Sequence, residues 1–386
     1  MKSTSQLAIV LFAPTLLPAS AWALDPQSVD VAGFQFTPTL KVSETYDDNF
    51  RELNTDEESS WITTIEPELA LVAEDRNSAY RLTYKGNTQI YHDDSDASNT
   101  DHKIKLESIM EFTARQRLKL TGEYRKMEDT ADTAVATEND KYHVKSIGGV
   151  YSYGVEKASN RIDLGASYAE LRYDNSGNIN ADEERDTTAI NAVWFHRLGG
   201  STTALLEARH TDYDYLLTNS PRNSTEDALL AGVVWEATAK TTGKIRVGYE
   251  KKDFQRNDVD DLESPMWEIG IDWEPLTYSK FSLSTRQSFD EGDDGSDAIK
   301  NTSSTLAWSH GWTERITSRV FLGYSQQDYE GQDRQDDITR TGANLTYKMR
   351  SWLDIGVGYT YIDNNSDADN EGYKRNIYMI SLTGSL

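Results

Sequence analysis

The sequence predicts an all-β chain: a transmembrane antiparallel β-barrel of 18 strands, with short periplasmic turns and longer acidic external loops. Three observations predict it. Segments of about 12 to 14 residues alternate apolar and polar side chains, and one recurs about every 20 residues from Gly33 onward. The breaks between segments alternate between short and long. Trp and Tyr gather near segment ends, as they do at the two lipid–water boundaries of a barrel.

The first residues set the compartment. Lys2 precedes a short apolar core from Leu7 to Leu17, and Ala21-Trp22-Ala23 has the small-x-small form of a secretory cleavage site. The reading is a signal peptide over 1–23, a short periplasmic segment over 24–32 and an outer-membrane barrel over 33–386. No later run of 18 apolar residues occurs, so no helix is expected to cross the membrane.

Alternation at period two means a strand with one apolar and one polar face. In one segment Leu118, Leu120 and Tyr124 oppose Lys119, Thr121, Glu123 and Arg125. In others Ile245, Val247 and Tyr249 oppose Lys244, Arg246 and Glu250, and Leu353 to Tyr361 repeats the pattern. Strands are expected near 34–46, 60–73, 79–92, 102–113, 117–128, 142–153, 160–173, 186–197, 201–212, 225–237, 243–254, 263–274, 278–289, 300–311, 315–328, 337–349, 352–362 and 373–386. The strand over 160–173 changes face between Tyr168 and Leu171, which predicts a bulge there. An even count leaves both chain ends on one side, as single-chain barrels require.

Short breaks at 74–78, 198–200 and 349–351 interleave with long ones at 129–141, 174–185 and 213–224. A soluble sandwich has no reason to alternate this way, its strands are shorter, and a propeller would repeat a blade signature. Trp61, Trp267, Tyr249, Tyr324 and Tyr373 are expected at one rim, and Trp194, Trp235, Trp273, Trp312 and Trp352 at the other.

Charge is divided along the same lines. The chain carries a net −25 over 386 residues, yet its nine longer loops hold 43 Asp and Glu against 6 Lys and Arg. The loops therefore sum to −37 and the rest of the chain to +12. Charges facing lipid at mid-depth cost roughly 2–4 kcal/mol each, so those in the strands are expected to line the lumen. The basic lining is Arg81, Lys85, Lys103, Lys105, Lys119, Arg125, Arg209, Lys244, Arg246, Lys280, Arg286, Arg315, Arg319, Arg340 and Lys348. Two readings stand side by side: a salt-bridged wall, or a lumen tuned for polar or anionic solutes. Eighteen strands leave an aqueous channel. No segment reads as a plug, so narrowing would have to come from external loops folded inward.

Several chemistries are absent. There is no cysteine, which excludes disulfides, zinc knuckles and thiol catalysis. The six histidines show no metal spacing, and no nucleophile elbow or phosphate loop occurs, so neither enzyme, metal nor cofactor is expected. Strong acidity argues against nucleic acid. The run Asp290 to Asp297 has oxygen ligands but lacks calcium-loop spacing.

The segment Lys41 to Arg51, with its Tyr46-Asp47-Asp48-Asn49 turn, resembles the β-barrel porin 2 group, which includes EpsL- and VpsM-like proteins of exopolysaccharide operons. So does Ile65-Glu66-Pro67-Glu68-Leu69, followed by a strand through Tyr80, Tyr84 and Tyr91. The resemblance implies passive polysaccharide export across the outer membrane, alongside a separate periplasmic polysaccharide-export protein. That partner is expected on the short turns, near Arg76, Arg115, Arg117, Lys157 and Arg350. Membrane lipid, lipopolysaccharide and the barrel-assembly machinery are the other expected partners. A diffusion porin for oligosaccharides or anions, and a structural or surface-binding barrel, are the alternatives.

Overall fold

The computed structural model describes residues 28–131, 138–155, 158–178, 180–238, 240–293 and 295–385. The signal-peptide reading and Lys157 lie outside the described residues. The strands are β1 (Val29–Val31), β2 (Phe34–Asp47), β3 (Ser60–Asp75), β4 (Ser78–Tyr91), β5 (Asn99–Thr113), β6 (Gln116–Asp129), β7 (Asp140–Tyr153), β8 (Asn160–Tyr173) and β9 (Arg185–Gly199). They continue as β10 (Thr202–Tyr215), β11 (Ser224–Thr238), β12 (Thr241–Phe254), β13 (Leu262–Leu276) and β14 (Ser279–Glu291). The last five are β15 (Ala298–Gly311), β16 (Ile316–Glu330), β17 (Gln335–Arg350), β18 (Leu353–Ser366) and β19 (Tyr373–Ser385).

From β2 onward each strand pairs antiparallel with the next, and β19 pairs with β2, so 18 strands close a ring. Closure gives every strand of the ring a partner on both sides and so leaves no open sheet edge, which hydrocarbon would not tolerate. Large apolar side chains stand exposed at alternate positions around the ring, among them Leu106, Leu164, Ile190, Leu229, Val247, Leu322 and Ile380. That is the reverse of a soluble fold and the surface that lipid requires. Among the described residues no helix is long and apolar enough to cross a membrane.

The seam is fastened by the Tyr46-Asp47-Asp48-Asn49 turn. The ladder from Ile377↔Asp47 to Ser385↔Thr39 stops below the external tip of β19. Side chains take over above it. Asp47 accepts from Arg375 Nε and Nη2 at 2.8 and 2.5 Å, and Asp48 accepts from the Asn376 backbone and side-chain amides at 2.6 and 2.7 Å. Asn49 donates to the Lys374 carbonyl at 3.0 Å. At the opposite end β1 occupies the β2 edge that β19 leaves bare, pairing Val29↔Phe36 through Val31↔Phe34. Its turn needs positive φ at both central residues, met by Ala32 (56°) and Gly33 (88°).

Two sequence expectations are corrected. β8 carries no bulge: its register with β7 and β9 is continuous. Leu171 faces inward because the external part of the lumen holds an apolar cluster of Tyr142, Val144 and Leu171. The register shifts lie instead beside short turns, at Glu111/Thr113, Thr202/Thr203, Trp235/Thr238, Trp273/Leu276 and Lys348/Arg350. Tyr373 does not belong to the aromatic girdle. It shares the inward face with Arg375, opposite in parity to the exposed Tyr378 and Ile380, and its hydroxyl bonds Glu52.

Candidate functional site: the barrel lumen

The strand-borne basic residues lie on the strand face opposite the exposed apolar one, and Arg315 sits in the turn before β16. Nine of the fifteen predicted lining residues are tied to carboxylates. Lys85 meets Glu68 at 2.7 Å, Lys103 and Arg125 share Glu123, and Lys105 and Lys119 share Glu107. Lys280 meets Asp272 at 3.2 Å and Arg286 meets Asp290 at 3.1 Å. Arg209, Arg246, Glu207 and Glu268 form a four-membered network: Arg246 reaches Glu207 at 2.6 Å and bonds Glu268, and Arg209 reaches the same two carboxylates at 2.8 and 2.7 Å. The network crosses from β10 to β13 over Gly232 of β11, where an added Cβ would lie 2.2 Å from the Ile245 carbonyl and 3.1 Å from Arg246 Cγ. Arg81, Lys244, Arg315, Arg319, Arg340 and Lys348 stand outside these ion pairs.

The lumen face of β14 to β16 is different in kind. Ser282, Ser284, Ser288, Asn301, Ser303, Thr305, Ser309, Ser325 and Gln327 fall on it by cross-strand register. They form a track of neutral hydroxyls and amides, with Ser325 Oγ 2.9 Å from Asn301 Oδ1. Lys280, Arg286 and Arg319 lie on the same face, the first two held by their own acids and Arg319 in register with Ser309, and Ala307 and Phe321 share it.

The external half of the lumen is narrowed by the wall itself. The β13–β14 ladder runs from Leu276↔Ser279 only to Trp267↔Gln287, although β13 continues to Leu262 and β14 to Glu291. Pro265 explains the break. Its carbonyl accepts from Gln287 Nε2 at 2.6 Å, so its ring nitrogen points to the same side and offers β14 no donor. Released there, the tip of β14, still fully paired with β15, passes behind β13 into the barrel. Its Phe289 N–H donates to Glu250 Oε1 at 2.9 Å, and Glu291 accepts from Lys252 Nζ at 2.5 Å and from the Tyr215 hydroxyl at 2.6 Å. Phe289 and Ala298 pack on Phe254, with Val259 and Leu262 beside them. Glu250, Lys252 and Phe254 lie on the lumen face of β12, and the first two are fully buried beneath the tip.

Loops complete the mouth. Arg222 donates to the Gly292 carbonyl at 3.0 Å and to Glu183 Oε1 at 2.6 Å, and stacks over the Tyr215 ring. Burial pushes the Glu183 carboxyl up against the pull of that guanidinium. On the far side of the mouth a cavity of about 250 Å³ is lined by Glu52, Gln89, Tyr91, Asn99, Asp101, Asp129 and Arg375, among others. Arg51 anchors the neighbouring loop through Glu58, Asp94 and the Ala131 carbonyl, and its hydrogen bond holds the Asp94 carboxyl below the usual carboxylate range.

The chain matches the family described as Putative beta-barrel porin 2 over residues 23–386. It belongs to that family. No curated protein matches the sequence. Among solved structures this porin is similar in fold to OpdK of Pseudomonas aeruginosa, solved with vanillate, at a TM-score of 0.52 and 10% identity, covering 91% of this chain and 99% of that one. It is also similar to OccAB2 of Acinetobacter baumannii, at 0.51 and 12%, covering 91% and 98%. OpdQ of P. aeruginosa gives 0.50 and 10%, covering 92% and 98%. The porin therefore resides in the outer membrane. Among its described residues no group of three or more His, Cys, Asp or Glu is placed to hold a metal. Period-two parity puts the strand-borne basic residues on the face opposite the apolar one, but sequence reasoning put Arg315 on a strand when it lies in a turn, and it missed the infolded tip. The signals were Pro265 inside a strand and the pair Phe289 and Glu291, apolar and acidic on one nominally outward face.

Proposed function

We propose that this porin is a passive outer-membrane conduit for a hydroxyl-rich polymer, a secreted polysaccharide, received from a separate periplasmic export protein. The observation that carries this reading is the neutral hydroxyl and amide track on β14 to β16. Each such group exchanges a water hydrogen bond for a sugar hydrogen bond at a net of about 0.5–1.5 kcal/mol, so a sugar chain is wetted without being held. The paired acids and bases elsewhere in the wall add polarity with little net field, which suits a neutral or weakly charged chain. The family resemblance supplies the polymer; the track supplies the chemistry that would accept it.

Deleting the gene should abolish or sharply reduce extracellular polysaccharide, with restoration by the wild-type copy. Normal secretion by the deletion strain would remove this reading. A second reading, a diffusion porin for small anions or oligosaccharides, is favoured by the six basic residues outside the ion pairs. Liposome swelling with short oligosaccharides, combined with unaltered polymer secretion, would select it instead.

A further inference from the structure

We propose that the infolded tip of β14 and β15 is the gate of this channel, latched to the inner wall by Lys252, Tyr215 and Glu250. The inference rests on reading the chain as a channel. The tip is held in two unlike ways. Along β15 it belongs to the barrel, since β15 pairs with β16 from Gly311↔Thr317 up to Ala298↔Glu330. Against β10 to β12 it has side-chain bonds and one apolar contact, and against β13 it has no ladder above Trp267. A strand end fixed along one edge and latched along the other can swing about the fixed edge. A ladder on both sides would forbid it.

The chemistry of the latch points the same way. Lys252 and Glu250 are fully buried, and Lys252 also lies over the Tyr213 ring at 4.2 Å. Glu250 Oε2 and Ser288 Oγ are buried without a hydrogen-bond partner in the protein. A permanent packing surface is made more stably by apolar residues than by buried ions, whose desolvation offsets most of their attraction. Movement of the tip would hydrate Lys252, Glu291 and both unpartnered oxygens, so the open state regains what the closed state loses. Two states of similar free energy are what a gate requires. The same movement would bare the Ser288 and Asn301 end of the neutral track and widen the mouth opposite the Glu52–Asp129 cavity.

The chain contains no cysteine, so a double variant Lys252→Cys/Glu291→Cys carries the only two thiols. Purified barrels would be recorded in planar bilayers before and after a reducible bis-methanethiosulfonate linker, with heat-modifiable electrophoretic mobility reporting folding. The uncrosslinked variant should show an open-to-closed ratio at least about tenfold above wild type, since it loses both hydrogen bonds to the Glu291 carboxylate, from Lys252 and from Tyr215. The linker should hold it closed, and reductant should restore opening. Equal conductance with and without the linker would overturn the gate while leaving the channel intact. Silence in every variant, including one with 288–297 replaced by a short glycine turn, would remove the channel reading and the gate with it. Should the double variant fail to fold, Glu291→Gln must still raise the open fraction, and an unchanged fraction overturns the proposal.

Discussion

The lumen charges divide into residues that hold the wall and residues that face solute. Arg246 belongs to the first group: its side chain is 3% exposed, and its partner Glu207 is equally hidden. Arg246→Met should therefore lower stability by about 3–5 kcal/mol, because it leaves Glu207 and Glu268 to share Arg209 alone. Lys105→Met, at a half-exposed pair, should change it by about 1 kcal/mol or less. Urea-dependent loss of heat-modifiable mobility would measure both. Selectivity should follow the second group. Neutralising Arg81, Arg319, Arg340 and Lys348 together is expected to lower anion preference in reversal-potential measurements. Neutralising whole pairs, Lys85 with Glu68 and Arg286 with Asp290, should alter it far less, because each pair carries no net charge. Asp94 gives a pH dependence with a definite sign. Its native carboxyl lies below the unfolded value of about 3.9, so its bond to Arg51 stabilises the loop above that pH. Stability is lost as pH falls through the native value. Proteolysis in loop 48–59 should accelerate only below about pH 4, and Asp94→Asn should remove that dependence.

At the level of elements, the sequence was most legible where one rule dominates. Lipid demands an apolar outer face on every strand, so period-two alternation survived in all 18 and fixed their positions to within a few residues. The lumen imposes no single rule. Leu171 points inward because its neighbours there are apolar, and Tyr373 because its hydroxyl donates to Glu52; neither fact is visible in a single strand. The infolded tip was hidden for a related reason: β14 departs from alternation only near its end, at Gln287 and Glu291, and its release is decided by Pro265 on another strand. Pro265→Thr would return a donor to that edge. The β13–β14 ladder should then extend beyond Gln287, giving slower amide exchange at Glu291 and moving the Phe289 N–H from Glu250 to the carbonyl of residue 265. Unchanged exchange would show that the proline is not what divides the strands.

For the whole molecule, orientation follows from the loops. Tags at Asn178 should be reached by antibody on intact cells, while tags at Asn77 or Gly200 should need permeabilised ones. The reverse pattern would invert the barrel and place the acidic mouth in the periplasm. The ring itself carries a further consequence. Joining β2 to β19 closes a loop of more than 300 residues, an entropic cost of about 5 kcal/mol that no hairpin in the molecule bears. The Asp47-Asp48-Asn49 turn meets that cost at the one place where the covalent chain does not connect neighbouring strands. Its importance is therefore set by where the chain is cut and not by the fold. A circular permutant with Ser385 linked to Ser28 and new ends at Gly200 would make the seam an ordinary connected pair. Asp48→Ala, damaging in the natural chain, should become nearly silent there, and the demand for fastening side chains should pass to β9 and β10.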